Sequence, residues 1–219
     1  MSVARTALSR KSCRQFIKDK PVPEALLKEL LEQASFAPSG GNLQPWRVHV
    51  VMGKARDDLV ESLKGKDVEG SEYDIYPVDL GEPYRSRRAK VGKDMYDLLG
   101  VGRSDTAGKL KNMARNFTFF DAPVGLFFTV DLNNPPQWSD IGMFMPTFML
   151  LAEERGIATC AQEIWANHSK HVKEFLGVPK EQILFSGMSV GYEDTSAPVN
   201  KLRTVRAPLS DFVTFHGKL

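Results

Sequence analysis

The stretch Ala37-Pro38-Ser39-Gly40-Gly41-Asn42-Leu43-Gln44-Pro45-Trp46 stands between two segments of different period, and its reading decides how the chain is organised. Before it, Leu26, Leu27, Leu30, Leu31 and Ala34 recur at helical spacing. Pro23 suits a first helical turn and Glu24 the positive end of the dipole, so a helix is predicted from Pro23 onward. After it, Trp46-Arg47-Val48-His49-Val50-Val51-Met52 is short, bulky and β-branched, which predicts a strand. The stretch itself is a cluster of turn formers that continues neither element.

Working outward, Ala55–Leu63 reads as a second helix. From Lys64 to about Arg115 no clean period survives, and a structureless loop of that length is improbable in a compact domain. An excursion with short helices of its own is expected there, packed over a site or around a partner chain. Ala122–Val130 reads as an apolar strand, and Pro135-Pro136 as a connection. Asp140 is then expected to cap a long apolar helix stopped by Gly156, with Pro146 kinking it or removing a hydrogen bond. Ile157–Cys160 reads as a strand, Lys170–Leu176 as a helix closed by Gly177 and Pro179, and Ile183–Val190 as a strand. In Pro208–His216 the alternation of Leu209, Phe212 and Phe215 with polar residues suits an added strand or a wrap around a neighbour. Helices alternating with roughly five strands predict one α+β domain over residues 1–219, its central sheet mixed or antiparallel and flanked by helices.

Composition narrows the function classes. Hydrophobic residues make up 42% and charged residues 26% of the 219, ordinary values for a globular chain with a sizeable core. A formal charge of +2 is too small to imply a polyanionic partner, so any basic chemistry must be local. No apolar run reaches the ~20 residues that span a bilayer, and the N-terminus lacks a signal-peptide pattern, which predicts a cytoplasmic protein. Cys13 and Cys160 have neither CxxC nor zinc spacing and are expected as reduced thiols. His168 and His171 could share a helical face, but without a third ligand no metal site is expected. Gly100-Val101-Gly102 is the only Gly-x-Gly, with no third glycine and no preceding strand, so a dinucleotide-binding Rossmann motif is excluded.

Two basic constellations remain. Ser9-Arg10-Lys11-Ser12-Cys13-Arg14 near the start and Lys201-Leu202-Arg203-Thr204-Val205-Arg206 near the end interleave guanidinium and hydroxyl donors. That mixture suits a phosphate, whose oxygens take both. Taken with the Pro38–Trp46 stretch, with Phe120-Asp121-Ala122-Pro123-Val124, with Asp140-Ile141-Gly142, with Gly156-Ile157-Ala158-Thr159-Cys160-Ala161-Gln162-Glu163 and with the Arg206-x-Pro-Leu tail, the chain resembles the nitroreductase family over most of residues 9–216.

The resemblance implies an FMN-dependent homodimer whose C-terminal extension wraps the partner subunit. It implies an NAD(P)H oxidoreductase that reduces nitroaromatic compounds in two-electron, ping-pong hydride transfers. NADH or NADPH serves as the transient donor, and the flavin rather than a side chain carries the hydride. Arg10, Lys11 and Ser12 correspond to the ribityl-phosphate motif, and Arg203 and Arg206 to the C-terminal phosphate arm. Arg14 corresponds to the cation beside the flavin N1 edge, where reduction places negative charge. Pro38, Ser39, Gly40, Asn42 and Gln44 match a loop that reaches the flavin held mainly by the other subunit. Ala161, Gln162 and Glu163 match the segment whose backbone passes the ring and offers an amide to N5.

The chain also departs from the pattern. Thr204 stands where many members have lysine, which leaves the phosphate short of a charge unless Arg203 or Lys201 turns inward. An Asn and Lys pair supplied mid-chain by some members has no counterpart within 64–115; the basic run Arg85-Ser86-Arg87-Arg88-Ala89-Lys90 is a substitute, a contact to the NADPH 2′-phosphate, or a solvated surface. Tyr73, Tyr76, Tyr84, Phe117, Phe119, Phe120, Phe144 and Phe148 line a flat apolar pocket or belong to core and interface. Two alternatives stay open at this point. One is the same fold reducing quinones, free flavin or another aromatic. The other is a non-enzymatic module binding nucleic acid through residues 85–93, which the near-neutral charge disfavours.

Overall fold

The computed structural model describes residues 2–131 and 135–217. Its centre is a four-stranded sheet of order β1-β2-β4-β3, with β1 Trp46–Met52, β2 Val124–Val130, β3 Ala158–Gln162 and β4 Ile183–Gly191. All three pairings are antiparallel. A parallel bridge between Ser12 and Thr159 lays the N-terminal arm along the free edge of β3. The expected fifth strand in the tail does not form: residues 202–217 are irregular apart from one 3-10 turn at Leu209–Asp211.

Alternation along β2 assigns its side chains to two cores, which explains why every residue of this strand is buried. Val124, Leu126, Phe128 and Val130 pack against α2 (Glu24–Ala34) and α6 (Pro135–Glu154), through Leu27, Leu30, Ile141, Phe144 and Phe148. On the other face Phe127 meets Phe119 and Trp165, with Leu59 of α3 (Gly53–Ser62) and Val172 of α7 (Ser169–Leu176) completing the second core. Two strand glycines make room for those rings. A Cβ on Gly125 would lie 2.3 Å from Phe119, and one on Gly187 2.3 Å from Trp165. Phe119, Phe120, Phe144 and Phe148 are thus core residues, whereas Tyr76 and Tyr84 are exposed.

Some predicted boundaries move. A short helix α1, Val3–Ser9, precedes the basic motif, capped by the Ser2 hydroxyl accepting from the Arg5 N–H. Pro135-Pro136 opens α6 instead of marking a connection, so Asp140 lies inside the helix and is not its cap. Proline at a helix start loses nothing, since the first N–H groups are unpaired anyway. The helix runs on through Pro146; the carbonyl deprived of its partner there is that of Gly142, and both residues are on the exposed side. Gly156, at φ +72°, ends the helical run as expected.

The 64–115 excursion has helices of its own, α4 (Tyr84–Leu99) and α5 (Thr106–Ala114). Before them, residues 69–73 are fastened to the sheet by one half-buried cluster. Lys173 donates to Glu72 at 2.5 Å and to the carbonyls of Gln182 and Lys180, while Glu72 also accepts from the Ser169 hydroxyl and the Leu184 N–H. Burial pushes the Glu72 carboxyl up, but these donors outweigh it and hold its pKa below the ordinary value. Lys173→Met should cost about 2 kcal/mol, less than a fully buried pair because Glu72 is partly exposed and keeps two donors. A depressed folded-state pKa means the Glu72 contribution is present above the ordinary carboxylate pKa of ~4.3 and is lost as pH falls below it. Thermal melts of the wild type and Lys173→Met should therefore converge between neutral pH and pH ~3; a gap independent of pH would contradict this.

Candidate active site

The two basic constellations, nearly 190 residues apart in sequence, meet in space. A cavity of about 260 Å³ is lined by Arg10, Lys11, Ser12 and Arg14 from one arm and Leu202, Arg203, Thr204 and Arg206 from the other, with Ala7 and Leu8 of α1. Among the described residues no carboxylate lies within ion-pair distance of Arg10, Arg14, Arg203 or Arg206. Four guanidinium groups so arranged repel one another, and an anion at the centre is what relieves them.

Individual side chains are oriented by local bonds. Arg203, at the rim of the cavity, donates to the Ser9 carbonyl at 2.6 Å. The Thr204 hydroxyl accepts from Arg206 at 2.6 Å and so steers it. Lys11 lines the cavity, but its ammonium is held by Glu193 and the Asn200 carbonyl, both at 2.6 Å. Arg14 lies over Ser12, 3.4 Å from its carbonyl. Cys160 is close beneath these residues: burial pushes its thiol up, with Arg14, a hydrogen bond to Ser12 and Arg10 opposing. Cys13 is likewise buried, its thiol pushed up to about 12 by burial, so neither cysteine offers a nucleophile.

One residue of this site escaped the sequence reading. Asn200 is 2% exposed; its Oδ1 accepts from the Arg14 N–H at 2.8 Å, and its Nδ2 donates to the carbonyls of Gln15 at 2.7 Å and Asp194 at 2.8 Å. It sews one arm to the other. The signal in the sequence was no more than an asparagine after Pro198-Val199, indistinguishable from an ordinary turn residue.

The N-terminal arm continues past the open edge of β3. Cys13 N–H donates to the Thr159 carbonyl at 3.0 Å, so the Thr159 backbone faces away from β4. By strand alternation Ala161, two residues on, turns its N–H to the same open side. Ala161 is the one exposed residue of β3, and its methyl leaves the approach clear. Gln162 points the opposite way and is buried, bonded to Asn116 and Ser189. Glu163 opens the following 3-10 turn; it is exposed overall, yet burial of its carboxyl raises the pKa.

The Pro38–Gln44 loop is elsewhere: none of the described residues lining the cavity comes from it. It forms an exposed 3-10 knuckle at Gly40–Asn42, with Gly41, Asn42 and Gln44 left-handed at φ +56°, +57° and +50°. Non-glycine residues in that region cost about 1 kcal/mol or more and mark functional sites more often than chance. The 85–93 stretch forms the start of α4 and is largely engaged locally. Arg85 donates to the Leu80 carbonyl, Arg87 pairs with Asp211 of the tail at 3.2 Å, Arg88 stacks on Tyr76 and Lys90 bonds Asp94. Arg87 and Lys90 also border a groove with Thr204 and Arg206. His171 bonds the Ser62 hydroxyl, and His168 packs edge-on to Phe117.

The chain is thus an α+β sheet whose two terminal arms close an arginine-lined cavity beside the edge of β3. The sequence profile of the Nitroreductase family matches residues 7–192, and the chain belongs to that family. The solved FMN and NADPH-dependent nitroreductase NfnB of sphigopyxis sp. strain HMH is 42% identical, each chain fully covered, with a TM-score of 0.94. The FMN-dependent NfnB of Mycobacterium smegmatis, solved in complex with NADPH, is 31% identical over 98% of this chain and 97% of its own, with a TM-score of 0.92. The 4-nitrobenzoate reductase of Pseudomonas putida is 37% identical over 95% of this chain and 93% of the relative.

Proposed function

We propose that this protein is an FMN-dependent NAD(P)H oxidoreductase that reduces nitroaromatic compounds, working as a cytoplasmic homodimer. The observation that carries the reading is the cavity where four arginines, with no carboxylate partner among the described residues, converge with the Ser12 hydroxyl. Its charge and donor set fit a phosphate monoester, and the open β3 edge beside it fits a flat ring. Arg10, Ser12, Arg203 and Arg206 would hold the phosphate, and the Ala161 N–H would meet the ring. Bound FMN supplies two-electron hydride chemistry between nicotinamide and nitro group, by turns in one pocket.

The protein's own part is binding and electrostatics. Arg14 places a fixed cation beside the ring position that becomes negative on reduction. Exposed Val205, Leu209, Phe212 and Phe215 in the tail, and Phe36 and Leu43 beside the knuckle, are apolar surface suited to burial against a second copy. No helix among the described residues is long and apolar enough to cross a membrane.

Purified protein should be yellow. Anaerobic NADPH or NADH should bleach it, and 4-nitrobenzoate should restore the colour faster than a quinone does. A colourless protein that FMN cannot reconstitute overturns the proposal, and faster reoxidation by the quinone moves the acceptor class. Arg14→Gln should retain FMN but lower its reduction potential by about 30 mV, equivalent to roughly 1.4 kcal/mol for a two-electron couple. A redox titration checks this; an unchanged potential places another group at N1.

A further inference from the structure

We infer that Asp140 is the positioning residue of the Ser39–Gln44 knuckle, fixing it from inside α6; the inference rests on reading that knuckle as part of the cofactor site. Asp140 is 2% exposed. Its Oδ1 accepts from the Gly40 N–H at 3.1 Å, while its Oδ2 is buried with no partner among the described residues. A buried carboxylate oxygen without a donor is a stability cost, so packing alone does not account for an acid here.

Among the described residues the knuckle's other bonds are internal. Asn42 N–H reaches the Ser39 carbonyl at 3.0 Å, Leu43 N–H the Gly40 carbonyl at 3.1 Å, and Gln44 N–H the Ser39 hydroxyl at 3.0 Å. These bonds shape the turn but do not tie it to anything. Side-chain packing does little more: a Cβ on Gly40 or Gly41 would meet no atom within 4 Å, and Leu43 is exposed. The turn nonetheless holds two non-glycine residues in the left-handed region. Pro45 anchors the far end by burial, and the Asp140–Gly40 bond anchors the near end. With both ends fixed, the Asn42 and Gln44 side chains project from a set position.

The inference separates the oxygen acceptor from the charge. Asp140→Ala should raise amide hydrogen exchange in the peptide covering residues 36–45 at least tenfold, in protein with or without FMN, and raise the KM for the nitroaromatic about tenfold with kcat changed far less. Asp140→Asn keeps an oxygen for the Gly40 N–H and should return both readouts toward the wild type, with a melting temperature no lower. Unchanged exchange in Asp140→Ala overturns the inference, as does an Asn variant as impaired as the Ala variant. Because exchange is read without turnover, a failure of the proposed activity leaves this test intact. Normal wild-type turnover with unaltered exchange in Asp140→Ala sinks the positioning role of Asp140 alone.

Discussion

Replacing Arg10 or Arg206 with alanine should weaken FMN binding roughly tenfold to a hundredfold while leaving turnover at saturating FMN within about threefold. The two residues come from opposite ends of the chain to one 260 Å³ cavity, and no Gly-rich loop is present to share the phosphate. Each truncation leaves a phosphate oxygen poorly paired, a loss of roughly 1.5–3 kcal/mol. Arg206 is pre-oriented by the Thr204 hydroxyl and by the carbonyls of Thr204 and Val205, so little ordering is needed on binding. Arg14 is separated from them in role, because its effect should appear in the potential and not in phosphate affinity. Fluorescence titration of FMN and steady-state rates for each variant make the measurement. Affinity that holds while turnover collapses would put these arginines at the reacting end and invert the cofactor.

How far the sequence could be read depended on whether a feature was local. The α2 helix announced itself through periodicity and the four strands through short apolar or β-branched runs, and their positions shifted by only a few residues. The basic arms stood out because guanidinium and hydroxyl groups alternate within six residues, and the structure brings them to one cavity. Less local features were not legible. Phe119, Phe120 and Asp121 are consecutive left-handed residues, a conformation no propensity predicts. It is held by tertiary bonds: Phe16 N–H to the Phe120 carbonyl, and Gln15 bridging Asp121 and Arg115. Asp140 looked like a helix cap because capping residues and buried loop acceptors are chemically the same; the start of α6 at Pro135 distinguishes them. Lys173 and Glu72 lie too far apart in sequence for any pattern to pair them.

Asn200→Ala should be the most damaging single change at the site, lowering stability by about 3 kcal/mol and FMN affinity by about a hundredfold. The side chain has three bonding positions in use, all buried: one acceptor for Arg14 N–H and two donor hydrogens for the Gln15 and Asp194 carbonyls. Alanine removes three hydrogen bonds at about 1 kcal/mol each; the Arg14 N–H loses its acceptor, while the Gln15 carbonyl keeps the Asp194 N–H and the Asp194 carbonyl keeps the Ala197 N–H. Both sides of this junction line the arginine cavity proposed for the phosphate: Arg10, Ser12 and Arg14 lie on one arm, Arg203 and Arg206 on the other. Loosening the junction therefore shifts two sets of phosphate donors against each other, which local truncation of one arginine does not do. Aspartate, similar in shape, should not rescue, because it sets a carboxylate oxygen, which can only accept, against two carbonyl oxygens. Melting of the FMN-free protein and FMN titration together decide the matter. If Asn200→Ala melts lower yet binds FMN as tightly as the wild type, the two arms find their register without this residue, and its role is confined to folding.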